Sequence, residues 1–260
     1  MKKIFIIFTL IALNVLTTDA AIMEGGVSKQ GIGTSKKIVD SATNLPVQGA
    51  KITLPKMDFV TVTDNDGRFN LNADINSPTI MSVEKEGYRP FSLTIDKNLA
   101  SKPIVVGIEK SKVHDVVISS QLFHLGDDNF SSKSANSGEF RGKSIGPFVT
   151  KTFRITPDAI SKNNFLVIGS IIGIDTIMAR TMKQNSITNS FSSPPEVFFN
   201  GSKIADIQLN GDGQRIKIPR NLLNIGDMNE VTIHTGRNLK QTAYIDYDDI
   251  EFMNLSIQTE

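Results

Sequence analysis

Two groups of aspartates carry most of the chemical promise of this chain: Asp127-Asp128-Asn129, and Asp246, Asp248 and Asp249 within Asp246-Tyr247-Asp248-Asp249. Carboxylates are hard oxygen donors, and Ca²⁺ takes roughly six to eight oxygens, so a structural Ca²⁺ held by Asp127, Asp128, Asp246, Asp248 and Asp249 is the sharpest reading. The alternative is that both groups are solvated turn residues capping strand ends. A shorter run, Asp64-Asn65-Asp66-Gly67, lacks the third acidic position and the closing Glu of an EF-hand loop, and reads as a hairpin turn.

Sugar binding leans on aromatic rings stacked against pyranose faces. Trp is absent and Tyr is limited to Tyr88, Tyr244 and Tyr247, while the fifteen Phe sit mostly within apolar runs where core packing accounts for them. A binding surface would therefore draw on the loop residues Asn136, Arg141, His234 and Arg237, with Tyr244 as its ring; a solvated loop position is the alternative for each. Gly142-Lys143-Ser144-Ile145-Gly146 fits the nucleophile-elbow pattern, but Pro147 and a strand-like run follow where that elbow needs a helix. His114, His124 and His234 are far apart and no zinc-type pair exists, so each reads as an isolated surface or core residue.

The elements that must position these residues begin after a leader. Lys2 and Lys3, the apolar run Ile4 to Leu16, and the exit Thr17-Thr18-Asp19-Ala20 form a secretory signal peptide over 1–20, too short to span a bilayer. Removing Lys2, Lys3 and Asp19 from 28 basic and 27 acidic residues leaves 26 of each. That balance argues against a nucleic-acid partner, and no second apolar run reaches transmembrane length. Cysteine is absent, so stability must come from packed cores; a secreted or periplasmic bacterial protein is expected.

Residues 21–36 are small, polar and Gly-rich, a flexible leader. From Ile38 onward, short β-type runs alternate with turn residues: Ala50 to Leu54, Phe59 to Thr63, Phe69 to Leu71, Ile80 to Val83 and Phe91 to Ile95. A second set runs from Val116 to Leu125 through Phe148 to Ile155, Phe165 to Ile172, Val197 to Phe199 and Ile204 to Leu209. It closes with Arg215 to Ile218, Glu230 to His234 and Ile250 to Ile257. Residues 183–195 are an excursion rich in Ser, Asn and Pro. An all-β chain follows, with one sandwich over 37–112 and a second over 113–260.

Val39-Asp40, Asn44-Leu45-Pro46-Val47-Gln48-Gly49-Ala50-Lys51-Ile52, Thr63-Asp64-Asn65-Asp66-Gly67-Arg68-Phe69 and Glu86-Gly87-Tyr88 resemble the carboxypeptidase-regulatory-like domain. That resemblance implies a small, seven-stranded transthyretin-like sandwich without peptidase activity. The second half resembles a galactose-binding-like jelly roll of the carbohydrate-binding type. The resemblance rests on Val197-Phe198-Phe199-Asn200-Gly201-Ser202-Lys203-Ile204, Asn221-Leu222-Leu223-Asn224-Ile225-Gly226-Asp227-Met228-Asn229-Glu230-Val231 and Asp246-Tyr247-Asp248-Asp249-Ile250-Glu251-Phe252. It implies that the first and last strands of that half are neighbours, which would bring the two aspartate groups together around Ca²⁺. The expectation is a non-enzymatic binding protein for carbohydrate or another surface ligand. Its rival is a scaffold whose partner is an envelope protein. No coherent nucleophile and base, and no identifiable pair of hydrolytic carboxylates, speaks for a hydrolase.

Overall fold

β-Branched and aromatic residues in short runs build strands, and most of this chain is written that way. The computed structural model describes residues 35–129, 140, 142–185, 191–241 and 243–260; among them the chain is all-β, its α-helices reaching only four and five residues. The expected signal peptide lies outside the described residues, as does the leader up to residue 34.

The first seven strands are β1 (Lys36–Asp40), β2 (Lys51–Leu54), β3 (Phe59–Val62), β4 (Arg68–Phe69), β5 (Thr79–Glu84), β6 (Phe91–Ile95) and β7 (Ile104–Ile108). They form a sheet in the order β4-β1-β7 facing another in the order β3-β2-β5-β6. Ile38, Ile52, Leu54, Met81 and Ile95 fill the space between them.

Asp64 to Gly67 does turn the chain, with Gly67 at φ +71° and its N–H donated to the Asp64 carbonyl at 3.0 Å. It is not the expected hairpin. β3 pairs with β2 and β4 pairs with β1, so the turn carries the chain from one sheet to the other. The Asp64 carboxylate is spent locally, accepting the N–H groups of Asp66 and Arg68 at 2.9 and 2.8 Å.

Eight strands follow: β8 (Val116–Leu125), β9 (Phe148–Arg154), β10 (Asn164–Ile172), β11 (Glu196–Phe199), β12 (Ser202–Asp206), β13 (Gly211–Lys217), β14 (Met228–His234) and β15 (Ile250–Thr259). Their orders, β13-β10-β15-β8 and β12-β11-β14-β9, are the interleaving of a jelly roll. Phe199, Phe252, Leu166, Ile168 and Val231 anchor its core. Asn200-Gly201 closes the β11–β12 hairpin with both residues at positive φ (46° and 78°), as a two-residue type I′ turn demands.

The two sandwiches lie within one compact unit, residues 34–260. A small apolar cluster joins them: Ile80 of β5 meets Phe140, Ile172 and Met253. Polar contacts reinforce it. Thr94 donates its N–H and its hydroxyl to Asp212 Oδ1 at 3.0 and 2.8 Å, and Asn254 Nδ2 donates to Ser82 Oγ at 3.1 Å. No helix among the described residues is long and apolar enough to cross a membrane.

Candidate functional site

The antiparallel register of β8 against β15 sets Leu125 opposite Ile250 and His124 opposite Glu251. The residues just after β8 and just before β15 therefore meet at one end of the jelly roll, and both aspartate groups arrive there. Their carboxylates then diverge. Asp127 accepts the N–H groups of Asn129 and Tyr247 at 3.1 and 3.0 Å. Asp246 is buried and accepts the side-chain amides of Asn238 and Asn129 at 2.8 and 3.3 Å. Asp248 turns inward, accepting the N–H of Asp175 at 3.0 Å and the Ser192 hydroxyl at 2.7 Å.

Asp128 and Asp249 turn toward His124. Asp249 Oδ1 lies 3.0 Å from His124 Nε2 and 3.1 Å from the Asp128 backbone nitrogen. Asp128 Oδ1 lies 3.9 Å from the same Nε2, and Ser144 steadies that carboxylate with its N–H at 3.0 Å and its hydroxyl at 3.2 Å. Ser144 is thus engaged with Asp128, and strand β9 follows rather than the helix an elbow requires. Among the described residues, ligand atoms of His124, Asp128 and Asp249 all fall within 4.8 Å of one another. The five aspartates do not converge as a set, and the place that does converge includes an imidazole nitrogen, which is not a Ca²⁺ donor. The expected five-carboxylate calcium cage does not fit this arrangement.

Burial sets the electrostatics here. It pushes the Asp127 carboxyl up, with the neighbouring Asp246 and Asp249 charges adding to the rise against two backbone N–H bonds. Asp248 is pushed up strongly for the same reason, with Asp175 and Asp249 as like charges nearby. Asp175 is fully buried, neither of its oxygens has a hydrogen-bond partner, and desolvation raises it to about 7 against the attraction of Arg180. For His124, burial alone would lower the pKa; the bonds to Asp249 and the Gly142 carbonyl reverse this and leave it raised.

The ligand candidates separate. Arg237 and Tyr244 both line a cavity of about 330 Å³, together with Asn238, Gln241, Ile245 and Asp246. The Tyr244 ring is half exposed, and its hydroxyl accepts from Asn129 Nδ2 at 3.1 Å. His234 does not line that cavity. It sits on the outer face of the β12-β11-β14-β9 sheet, stacked on Phe148 at 5.1 Å and beside Phe198 at 5.2 Å. Asn136 and Arg141 lie outside the described residues.

Two residues escaped the sequence reading. His124 is not isolated, but its partner lies 125 positions away; its spacing of four from Asp128 was the available hint. Asp175 is the lone acid closing the run Ile171-Ile172-Gly173-Ile174, the signature of a carboxyl drawn into a core.

No protein-family model matches the chain, and no curated protein matches its sequence. Among solved structures it is similar to the SUMO E3 ligase SIZ2 of S. cerevisiae, at 17% identity over 58% of this chain and 52% of that one, TM-score 0.27. The chain thus spans about half the length of that protein. It is also similar to a protein of Bacteroides uniformis described as a candidate carbohydrate-binding protein, at 12% identity over 87% of this chain and 97% of that one, TM-score 0.21. A third is a variant of BcpA, the major pilin subunit of Bacillus cereus, at 10% identity over 87% of this chain and 58% of that one, TM-score 0.22. Likenesses this distant assign neither a family nor a ligand.

Proposed function

We propose that this chain is a secreted or periplasmic, non-catalytic binding protein whose jelly roll takes carbohydrate in the loop cavity between Arg237 and Asp246. The observation that carries the reading is the meeting of Arg237 and Tyr244 in one cavity. A half-exposed phenol ring offers a stacking face, while a guanidinium and the side chain of Gln241 offer hydrogen bonds to hydroxyls. The floor is pre-arranged. Asn238, buried, donates to Asp246 and accepts the N–H groups of Lys240 and Gln241 at 2.9 and 3.2 Å, which braces the floor of the cavity. The first sandwich is the module that carries the jelly roll.

A glycan array probed with the chain tests this. Binding to a defined glycan that Tyr244→Ala and Arg237→Ala each weaken at least tenfold, with unchanged melting temperature, supports the reading. Binding indifferent to both substitutions places the ligand elsewhere.

A scaffold in an envelope assembly is the second reading, favoured by the strip Phe148–His234–Phe198 on the outer sheet face. Phe148 there is 52% exposed, more than a side chain needs for packing within its own sheet. Phe148→Ser would then abolish co-purification of an envelope protein without touching glycan binding.

A further inference from the structure

The lone-pair geometry at His124 demands a proton or a cation between its ring and Asp249. Its Nδ1 lies 2.6 Å from the carbonyl oxygen of Gly142, and a carbonyl can only accept, so Nδ1 carries a proton. Nε2 then faces Asp249 Oδ1 at 3.0 Å, where a bare nitrogen and a carboxylate oxygen would meet lone pair to lone pair. A proton, carried by the ring or by the Asp249 carboxyl, or a metal ion must lie between them. A proton serves two atoms, whereas here a third donor, the Asp128 carboxylate, is held 3.9 Å from the same nitrogen. We infer that His124, Asp128 and Asp249 form a binding site for a divalent first-row transition ion, with Zn²⁺ the best match.

The spacing suits that ion. Tetrahedral Zn²⁺ with bonds of about 2.1 Å sets its donors about 3.4 Å apart; the two His124–carboxylate separations, 3.0 and 3.9 Å, bracket that value, and all three donors lie within 4.8 Å of one another. One imidazole and two carboxylates leave a fourth position for water, the usual form of an open zinc site. Each ligand is also held from behind, as metal ligands are. The Gly142 carbonyl orients the imidazole, Ser144 holds Asp128, and the Asp128 N–H holds Asp249. Gly126 completes the cradle: a Cβ there would run into the Asp249 carboxylate. Asp128, with its side chain 30% exposed, gives the ion its way in. This inference is independent of the carbohydrate reading, because none of the three ligands lines the Arg237–Tyr244 cavity.

The test uses the untagged chain, stripped with chelator and titrated with Co²⁺ as a spectroscopic stand-in for Zn²⁺. The expected result is one Co²⁺ per chain with a tetrahedral visible band, displaced by Zn²⁺ and untouched by a hundredfold excess of Ca²⁺. His124→Gln should weaken binding at least about a hundredfold and Asp128→Asn at least about tenfold. Should His124→Gln fail to fold, Asp128→Asn carries the test, since its amide oxygen still accepts from Ser144. Absence of the band together with no Zn²⁺-induced rise in melting temperature, displacement by Ca²⁺, or wild-type binding by Asp128→Asn each overturns the site.

Discussion

Arg89 holds Asp115 through Nε to Oδ2 at 2.7 Å and Nη2 to Oδ1 at 3.2 Å, and the same carboxylate receives the N–H groups of Lys112 and Thr259 at 2.9 and 3.0 Å. One carboxylate thereby ties the first sandwich, the link and the end of β15. Both side chains are buried, and removing Asp115 leaves the Arg89 guanidinium with only the exposed Glu109, 2.6 Å from Nη1. Asp115→Ala is expected to lower stability by about 3 kcal/mol, read as a lower urea midpoint at constant slope. An unchanged midpoint would show that the tie is dispensable.

The cores of the two sandwiches are separate clusters, bridged among the described residues by the small Ile80–Phe140–Ile172–Met253 contact and a few polar ties. Fragments 31–112 and 113–260 should therefore each melt cooperatively, the second at the higher temperature because it buries the larger core. Broad, non-cooperative melts from both fragments would mean that neither core stands without the other.

Asp175 gives stability a particular pH dependence. Its folded pKa of about 7 lies above the ordinary carboxyl value of 3.8, so the native state holds this proton more tightly than the unfolded state does. Its contribution is complete below pH 3.8 and is lost as pH rises to about 7. The loss is at most about 4 kcal/mol, roughly three units at 1.4 kcal/mol each. Asp175→Asn should stabilise the chain at pH 8 relative to pH 5. Urea midpoints of the two proteins that run parallel between those pH values would refute it.

Gly126 sits at φ +149° with the Asp249 carboxylate where its side chain would be, so Gly126→Ala should cost at least about 2 kcal/mol. Gly142→Ala is the control, having open space around it and no positive φ. Equal melting temperatures for the two variants would remove Gly126 from the account of the site.

Strands flanked by turn chemistry were legible: β6 and β8 were read from the sequence with the bounds they have in the fold. β7 was not read, although its residues alternate buried and exposed, because its partner β1 is parallel and more than sixty positions distant. β1 itself starts with Lys36, buried at 3% exposure, where a charged residue argues for the surface. The approach of the two aspartate groups was implied by strand neighbourhood. Where each carboxylate aims was not, since that depends on Gly126, on the left-handed Asp128 at φ 58°, and on which backbone amides are within reach.

β15 is the middle of its sheet and the last of the strands to be made, with all ten of its residues buried between β10 and β8. Without residues 250–259, β8 and β10 would face each other across a vacant lane, each with an open edge. The sandwich of β1–β7 draws all its strands from residues 36–108. Assembly is therefore two-paced: the first sandwich can close on its own contiguous stretch, while the jelly roll stays open and exposed to wrong pairing until β15 is laid in.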